Sequence, residues 1–310
     1  MRNVKIIGMG NSLAGEKVVF RDQTRYKLAE GETQLSLAVE ACNKALKAAD
    51  MTVNEIDCIV GACAMGIQHI PVSAVLISEQ LAPERPIPCL DINTICSSFI
   101  TALDTMSYLV AAGRYNNVLI ISADVPSLRT NPNQRESYEL FSDAASAFII
   151  TRDETGNSHV INGIQRTYVE GAHDTEIRAG LSVLPPQFLN EENREEFLFD
   201  MKGKKAMALT AKGLPVTVDE FYSQCGVTLQ NVDYIVPHQA SKALGIMMNM
   251  LGVEPERYAD NVSKYGNMVS ASIPYTFCEC VDQDKINRGD TVLLFGTAAG
   301  LSINMLALRY

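Results

Sequence analysis

A chain that repeats its own pattern has to fold as two similar units. Thr52–Val60 (TVNEIDCIV) and Thr228–Val236 (TLQNVDYIV) share Thr, Asp, Ile and Val outright at an offset of 176, and most other pairs are chemically close. Each segment follows a helical spacing of apolar residues: Leu35, Ala38, Val39, Cys42, Ala45 and Leu46 in the first case, Leu214, Val218, Phe221 and Cys225 in the second. A second pair, Arg114–Ile121 (RYNNVLII) and Arg288–Phe295 (RGDTVLLF), recurs at an offset of 174. Two matches at nearly one offset argue for duplication. The strand segments are apolar without alternation, which implies sheets covered by helices on both faces. The expected fold class is therefore α/β, with two duplicated halves, 1–165 and 201–310, forming a five-layered αβαβα sandwich around shared helices. Residues 166–200 break the periodicity with Pro185, Pro186 and a charge cluster, as either an inserted cap or a plain surface connection would.

With 310 residues and 47% hydrophobic content, the chain can bury a sizeable core, which excludes a disordered or fibrous protein. Its 26 basic and 36 acidic side chains leave a charge of −10, which argues against nucleic acid or an anionic membrane as partner. The uncharged run Thr291–Leu308 is divided by Gly296 and Gly300 and reads as a buried hairpin, not a membrane span. Eight cysteines without CxxC spacing suggest neither a metal site nor a disulfide framework, and fit a reducing cytoplasm. The opening MRNVKIIGMGNS is too short in apolar residues for a signal peptide. Its glycines at 8, 10 and 15 do not make the GxGxxG of a dinucleotide loop.

Of four histidines, His238 stands directly after a buried strand (DYIVPHQAS), where catalytic groups of α/β sheets gather. His159 and His173 lie in polar connecting sequence, and His69 in a loop after the matching first-half strand. Cys96 follows the strand-like LDINTI and precedes an amphipathic helix with small residues in its first turn. At such a junction the helix amides and dipole favour thiolate, although buried cysteines are commonly inert. Asn267 lies in YGNMVSASIP. Adding the repeat offset to Cys96 leads to residues 270–272, which places Cys96 and Asn267 in related positions of the two halves. FGTAAGLS (295–302) is either an oxyanion-hole turn or a tight hairpin that needs small residues.

Cys96, PHQAS, YGNMVSASIP and FGTAAGLS, in this order over essentially the whole chain, resemble β-ketoacyl-acyl carrier protein synthase III of the thiolase superfamily. The resemblance implies an acyltransferase performing decarboxylative Claisen condensation. Cys96 would accept the acyl group, His238 and Asn267 would bind the malonyl thioester carbonyl, and the Cys96 and Ala299 amides would form the oxyanion hole. Lys204, Lys205, Met207 and Lys242 would bind substrate or carrier. It further implies acyl-coenzyme A or acyl-carrier thioesters as substrates with no other cofactor, an acyl carrier protein as partner, and a cytoplasmic homodimer serving fatty-acid or specialised acyl-chain biosynthesis. The loop at 66–73 would then reach the partner's pocket. An acyltransferase of the same fold acting on a hydroxyl or amine, or a non-catalytic partner subunit, is the alternative. The chain departs from the family pattern in having no tryptophan for coenzyme A stacking, Ser241 and Ala243 after the HQA turn, and Lys204 where an Asn is usual. These departures leave the acyl donor open.

Overall fold

The computed structural model describes residues 1–310. The first half runs β1 (Val4–Leu13), the hairpin β2 (Glu16–Phe20) and β3 (Gln23–Lys27), α1 (Gln34–Ala48), β4 (Cys58–Gly61) and α2 (Ser73–Leu81). It continues with β5 (Cys89–Asp91), α3 (Ser98–Ala111), β6 (Asn117–Asp124), the short α4 (Arg135–Tyr138) and β7 (Ala144–Arg152). Its sheet has the order β1-β7-β6-β4-β5, with β5, β4 and β6 parallel and β7 and β1 antiparallel to their neighbours. The second half begins with β8 (His159–Thr167) and passes through the two-stranded pair β9 (Thr175–Glu176) and β10 (Asp200–Met201) into α5 (Gly203–Cys225). After that come β11 (Tyr234–Pro237), α6 (Leu244–Met250), α7 (Val262–Tyr265), α8 (Ser272–Asp282), β12 (Thr291–Ala298) and β13 (Ser302–Arg309). The second sheet has the order β11-β12-β13-β8.

One boundary differs from expectation. β8 pairs along its length with β13, from Ser302↔Thr167 to Arg309↔His159, so a division at 165 falls inside a strand of the second sheet. The second half starts at that strand, whose polar, partly exposed residues hide it from a search for apolar runs. Residues 166–200 carry β9 and three short 3₁₀ turns. Arg178, which pairs with Glu176, Glu196 and Asp200, ties the two ends of this segment together.

Three apolar clusters hold five layers of secondary structure together. Between the sheets lie α3 and α8, whose Phe99, Leu103, Met106 and Phe277 meet Val118, Ile120 and Phe148 on one side and Val292, Leu294 and Leu306 on the other. On the outer face of the first sheet, Leu37, Ala41 and Ala45 of α1 cover Ile59, Leu119 and Ile149. On the outer face of the second, Leu214, Val218 and Phe221 of α5 cover Leu293, Phe295 and Met305. Sheets covered twice need strands that are apolar at every position, and β6 and β13 are buried almost throughout. Gly8 and Gly10 lie within β1, where the backbone of α1 approaches the sheet too closely to admit a Cβ, so they serve packing and not a phosphate. No helix is long and apolar enough to cross a membrane.

Candidate active site

Cys96 sits in a 3₁₀ turn, Ile95–Ser97, between the end of β5 and the start of α3. Ile95 adopts φ +56°, a conformation that costs a β-branched residue about 1–3 kcal/mol and persists only where neighbours impose it. Three hydrogen bonds do so. Ile95 N donates to Asn93 Oδ1 (2.8 Å), Asn93 Nδ2 donates to the Ala64 carbonyl (2.9 Å), and Thr94 N donates to Ser98 Oγ (3.0 Å). The turn packs against the end of β12, and the Ala299 amide just beyond that strand points at Cys96 Sγ. Ala64, Leu140, Phe141, Val269 and Phe199 surround the thiol with apolar surface, Phe141 and Phe199 meeting edge to face at 4.9 Å.

Burial pushes the Cys96 thiol up to about 12, and the nearby Asp124 carboxylate adds to the rise. The amides of Ala299 and of Cys96 itself pull the other way. The thiolate expected from the strand-to-helix junction is thus outweighed, and the resting side chain is the neutral thiol.

His238 follows the last residue of β11, and its N–H donates to the Phe295 carbonyl of β12 (2.7 Å). The ring is buried and Nδ1 has no partner. Burial alone lowers its pKa to about 4, so the imidazole is uncharged at neutral pH. Asn267 is held between both halves: its N–H donates to the Leu140 carbonyl (2.9 Å) and its carbonyl accepts from Ser142 N (3.0 Å). The Asn267 side chain donates one N–H to the Ala240 carbonyl (3.2 Å), two residues past His238, and its Oδ1 accepts from Val269 N (2.8 Å). A carboxamide carries a second N–H, which this bonding leaves available. The turn that follows Asn267 packs directly on the Cys96 turn. A soft nucleophile beside a backbone amide, an uncharged imidazole and a primary amide are thus gathered where turns from both halves meet.

Residues 90–167 match the 3-oxoacyl-[acyl-carrier-protein] synthase III family, and residues 222–310 match the C-terminal domain of the same synthases. Together these spans take in more than half of the chain. It belongs to this family. The β-ketoacyl-[acyl-carrier-protein] synthase III of Clostridium perfringens strain 13 is 28% identical over 320 residues, covering 97% of this chain and 98% of the relative. The synthase of the same name from Aquifex aeolicus is 28% identical over 285 residues, covering 92% of this chain and 86% of the relative. The crystal structure of the 3-oxoacyl-[acyl-carrier-protein] synthase III from Aquifex aeolicus VF5 superposes with a TM-score of 0.87 at 26% identity, covering 99% of this chain and all of that one. The chain is thus a thiolase-fold condensing enzyme of the synthase III family.

The pairing of Cys96 with Asn267 as positional counterparts does not hold in this synthase III chain. The offset of 174 maps Cys96 onto Ser270 and Asn93 onto Asn267, and the hydrogen bonds agree. Val269 has φ +52° and donates to Asn267 Oδ1 as Ile95 does to Asn93, while Met268 N donates to Ser272 Oγ (2.9 Å) as Thr94 N does to Ser98. The carboxamides of Asn93 and Asn267 hold Ala64 and Ala240, themselves 176 apart. Carrying the offset through the whole segment, residue by residue, would have found both partners.

The other residues expected to bind substrate or carrier stand outside this cluster. Lys204, Lys205 and Met207 are exposed in the first turns of α5. Lys242 is not a free cation, because its Nζ pairs with Asp22 at the tip of the β2–β3 hairpin (3.0 Å). Sequence reasoning missed Asp124, the last residue of β6, which is fully buried within reach of the Cys96 charge. Its flanks, ISADVP, read as ordinary strand.

Proposed function

We propose that this protein condenses an acyl group, carried as a thioester on Cys96, with a malonyl thioester, releasing carbon dioxide and a β-ketoacyl product. In the first step the Cys96 sulfur attacks the donor carbonyl; the amides of Cys96 and Ala299 receive the charge on oxygen. The donor's thiolate leaves and takes up the proton that Cys96 gives up, which suits a residue that rests as the thiol. In the second step the malonyl carboxylate departs as carbon dioxide, and its electrons pass to the thioester carbonyl as an enolate. His238 and the free N–H of Asn267 donate to that oxygen. The enolate carbon then attacks the acyl carbonyl on Cys96, the same two amides hold the tetrahedral oxyanion, and the Cys96 thiolate is expelled and takes up a proton from water, the one proton the overall reaction consumes.

The observation that carries this reading is the His238 ring: buried, uncharged and without a carboxylate on either nitrogen. An imidazole that deprotonates a hydroxyl or amine is commonly oriented by a carboxylate, which also stabilises the imidazolium, and a pKa held near 4 makes this ring a weak base. An enolate needs only neutral donors, so transfer to a hydroxyl or amine is not favoured, and a silent subunit would have no use for the three groups together. Substrates are thioesters of coenzyme A or of an acyl carrier protein, and the chemistry calls on no other cofactor. The lysines at the start of α5 support a carrier docking there. Lys202, Lys204 and Lys205 sit at the positive end of a 23-residue helix, where cations oppose the dipole, and they join with it to attract a carrier's phosphate and acidic surface. A homodimer formed along β5 completes the arrangement. β5 is an unpaired sheet edge, and Ile95 beside Cys96 is 36% exposed whereas its counterpart Val269 is 7% exposed. Ile70, Val72 and Val75, next to and on α2, extend this apolar margin.

The test separates the two half-reactions. Cys96→Ala abolishes acyl-enzyme formation, read by intact mass after exposure to a panel of acyl thioesters. Asn267→Ala still acylates but releases carbon dioxide from malonyl-coenzyme A about 10²–10³ times more slowly. Acylation on another cysteine with turnover kept in Cys96→Ala, or equal loss of both steps in Asn267→Ala, would refute the assignment.

A further inference from the structure

The two counterpart turns share their clamps and differ in one element. β6 ends in Asp124 and β12 in Ala298, again 174 apart. Ala298 has no polar side chain, and the amide of the next residue, Ala299, faces the Cys96 sulfur. Asp124 instead reaches across to the opposite turn. Its Oδ2 accepts from Ser270 N (3.0 Å), from Ser270 Oγ in a short bond, and from Ala64 N (3.2 Å), while Oδ1 accepts from Met65 N (2.9 Å). Ser270, the counterpart of the nucleophile, is therefore spent as an anchor. A fully buried carboxylate needs such donors to be tolerated at all. Its place still works against the neighbouring chemistry, because its charge opposes a thiolate on Cys96.

We propose that Asp124 is a positioning residue which, through Ser270, fixes the Asn267 turn of the second half against the first half, so that the Asn267 amide is aimed at the enolate oxygen. The inference rests on the reaction proposed above. The turn it fixes is strained at Val269; Asn267 itself is tethered to Leu140 and Ser142 of the first half by backbone bonds alone, and the other side-chain clamps on the turn, Asn267 and Ser272, come from within the second half. Asp124 is the side chain that binds this turn to the loop at 64–65, which in turn holds Asn93 and thereby the Cys96 turn. An oxyanion donor is effective in proportion to how little it must reorganise, so a loosened Asn267 loses enolate stabilisation while the Cys96 and Ala299 amides remain in place.

The experiment uses the full chain with Ser270→Ala, Asp124→Asn and the double variant. Acylation of Cys96 by the best acyl-coenzyme A of a panel is followed by intact mass, and decarboxylation of malonyl-coenzyme A by carbon dioxide release. Ser270→Ala, which keeps the backbone bond to Asp124 and changes little volume, should slow decarboxylation about tenfold and acylation less than about threefold. Asp124→Asn should slow decarboxylation at least as much and acylation by much less, because the 64–65 loop loses bonds while the charge opposing the Cys96 thiolate is gone. The double variant should be no worse than the poorer single one. Equal losses in both half-reactions, unchanged decarboxylation, or additive effects in the double variant overturn the proposal. A wild-type protein that acylates Cys96 yet never releases carbon dioxide overturns the reaction reading and this proposal with it, whereas loss confined to the variants' acylation overturns this proposal alone.

Discussion

His238 is 3% exposed and its pKa is lowered to about 4 by burial, against an ordinary 6.5, so it makes folding sensitive to acid in a calculable way. Between those values the unfolded chain binds a proton that the folded protein refuses, and stability falls as pH falls. On going from pH 7.5 to 5.5 the loss from this residue is about 1 kcal/mol, and it approaches about 3 kcal/mol below pH 4. Asp124 acts with the opposite sign. Burial raises its carboxyl to about 6 from 3.8, so over the same interval the folded protein binds a proton that the unfolded chain does not, which offsets part of the loss. The wild-type protein should therefore hide part of the His238 effect, and His238→Asn should become more stable, relative to wild type, by about 1 kcal/mol at pH 5.5. Urea unfolding followed by circular dichroism at pH 7.5 and 5.5, both above the sequence pI of about 5.0, measures this difference. Histidine ring resonances give the direct check. With four histidines in the chain, the one missing from His238→Asn should not move between pH 8 and 5.5. A His238 resonance with a midpoint between 6 and 7, or an unchanged acid sensitivity in His238→Asn, would show that the ring is solvated or charged, and the neutral-donor role would fall with it.

The remaining predictions concern the supports of the site. Gly266 has φ +73° and a Cβ there would lie 2.5 Å from the Leu140 carbonyl and 2.6 Å from Arg25 Cδ, so Gly266→Ala should cost about 3 kcal/mol or more by thermal unfolding; a neutral effect would mean that the Asn267 segment is not tightly held. Lys204→Glu with Lys205→Glu should weaken carrier-dependent turnover and flatten its salt dependence while turnover with malonyl-coenzyme A is largely kept, and a parallel fall in both rates would move the docking face elsewhere. Ile95→Lys places a charge on the exposed apolar margin beside β5, and should yield a monomer in sedimentation at micromolar concentration; an intact dimer would exclude this edge as the interface.

The duplication is legible because strands covered on both faces cannot alternate, so β4 and β11, or β6 and β12, keep recognisable apolar strings at a constant spacing. β8 escapes the same reading. Only two of its nine residues are buried, its His159, Asn162 and Gln165 look like connection, and only pairing with β13 assigns it to the second sheet. Cys96, His238 and Asn267 are conspicuous in sequence because each follows a strand end or sits in a glycine-containing turn, and the structure gathers their turns. Their electrostatics are less visible. A junction of strand and helix suggests a thiolate at Cys96, but desolvation and the Asp124 charge come from residues far away in sequence and outweigh the amides. The Lys242–Asp22 pair spans 220 positions and is equally out of reach of local pattern.

The duplicated turn explains why a chain of this kind needs two halves. One strained three-residue turn, held by an Asn carboxamide and a Ser hydroxyl, occurs twice with the same backbone. In the first copy the central residue is Cys96, and the strand end opposite offers a bare amide, so that a sulfur and an oxyanion can both be accommodated. In the second copy the central residue is Ser270, the strand end opposite offers a carboxylate, and the turn is bound down. What the second copy then presents is the clamp itself, Asn267, one of whose N–H groups remains available to substrate. A single half could supply either a reactive centre or a fixed donor, because the residue that frees the amide at one strand end is the one that cannot anchor the facing turn. Divergence at positions 96/270 and 124/298 assigns one task to each copy while the shared geometry keeps them in register, and that is why the two substitutions are best tested together.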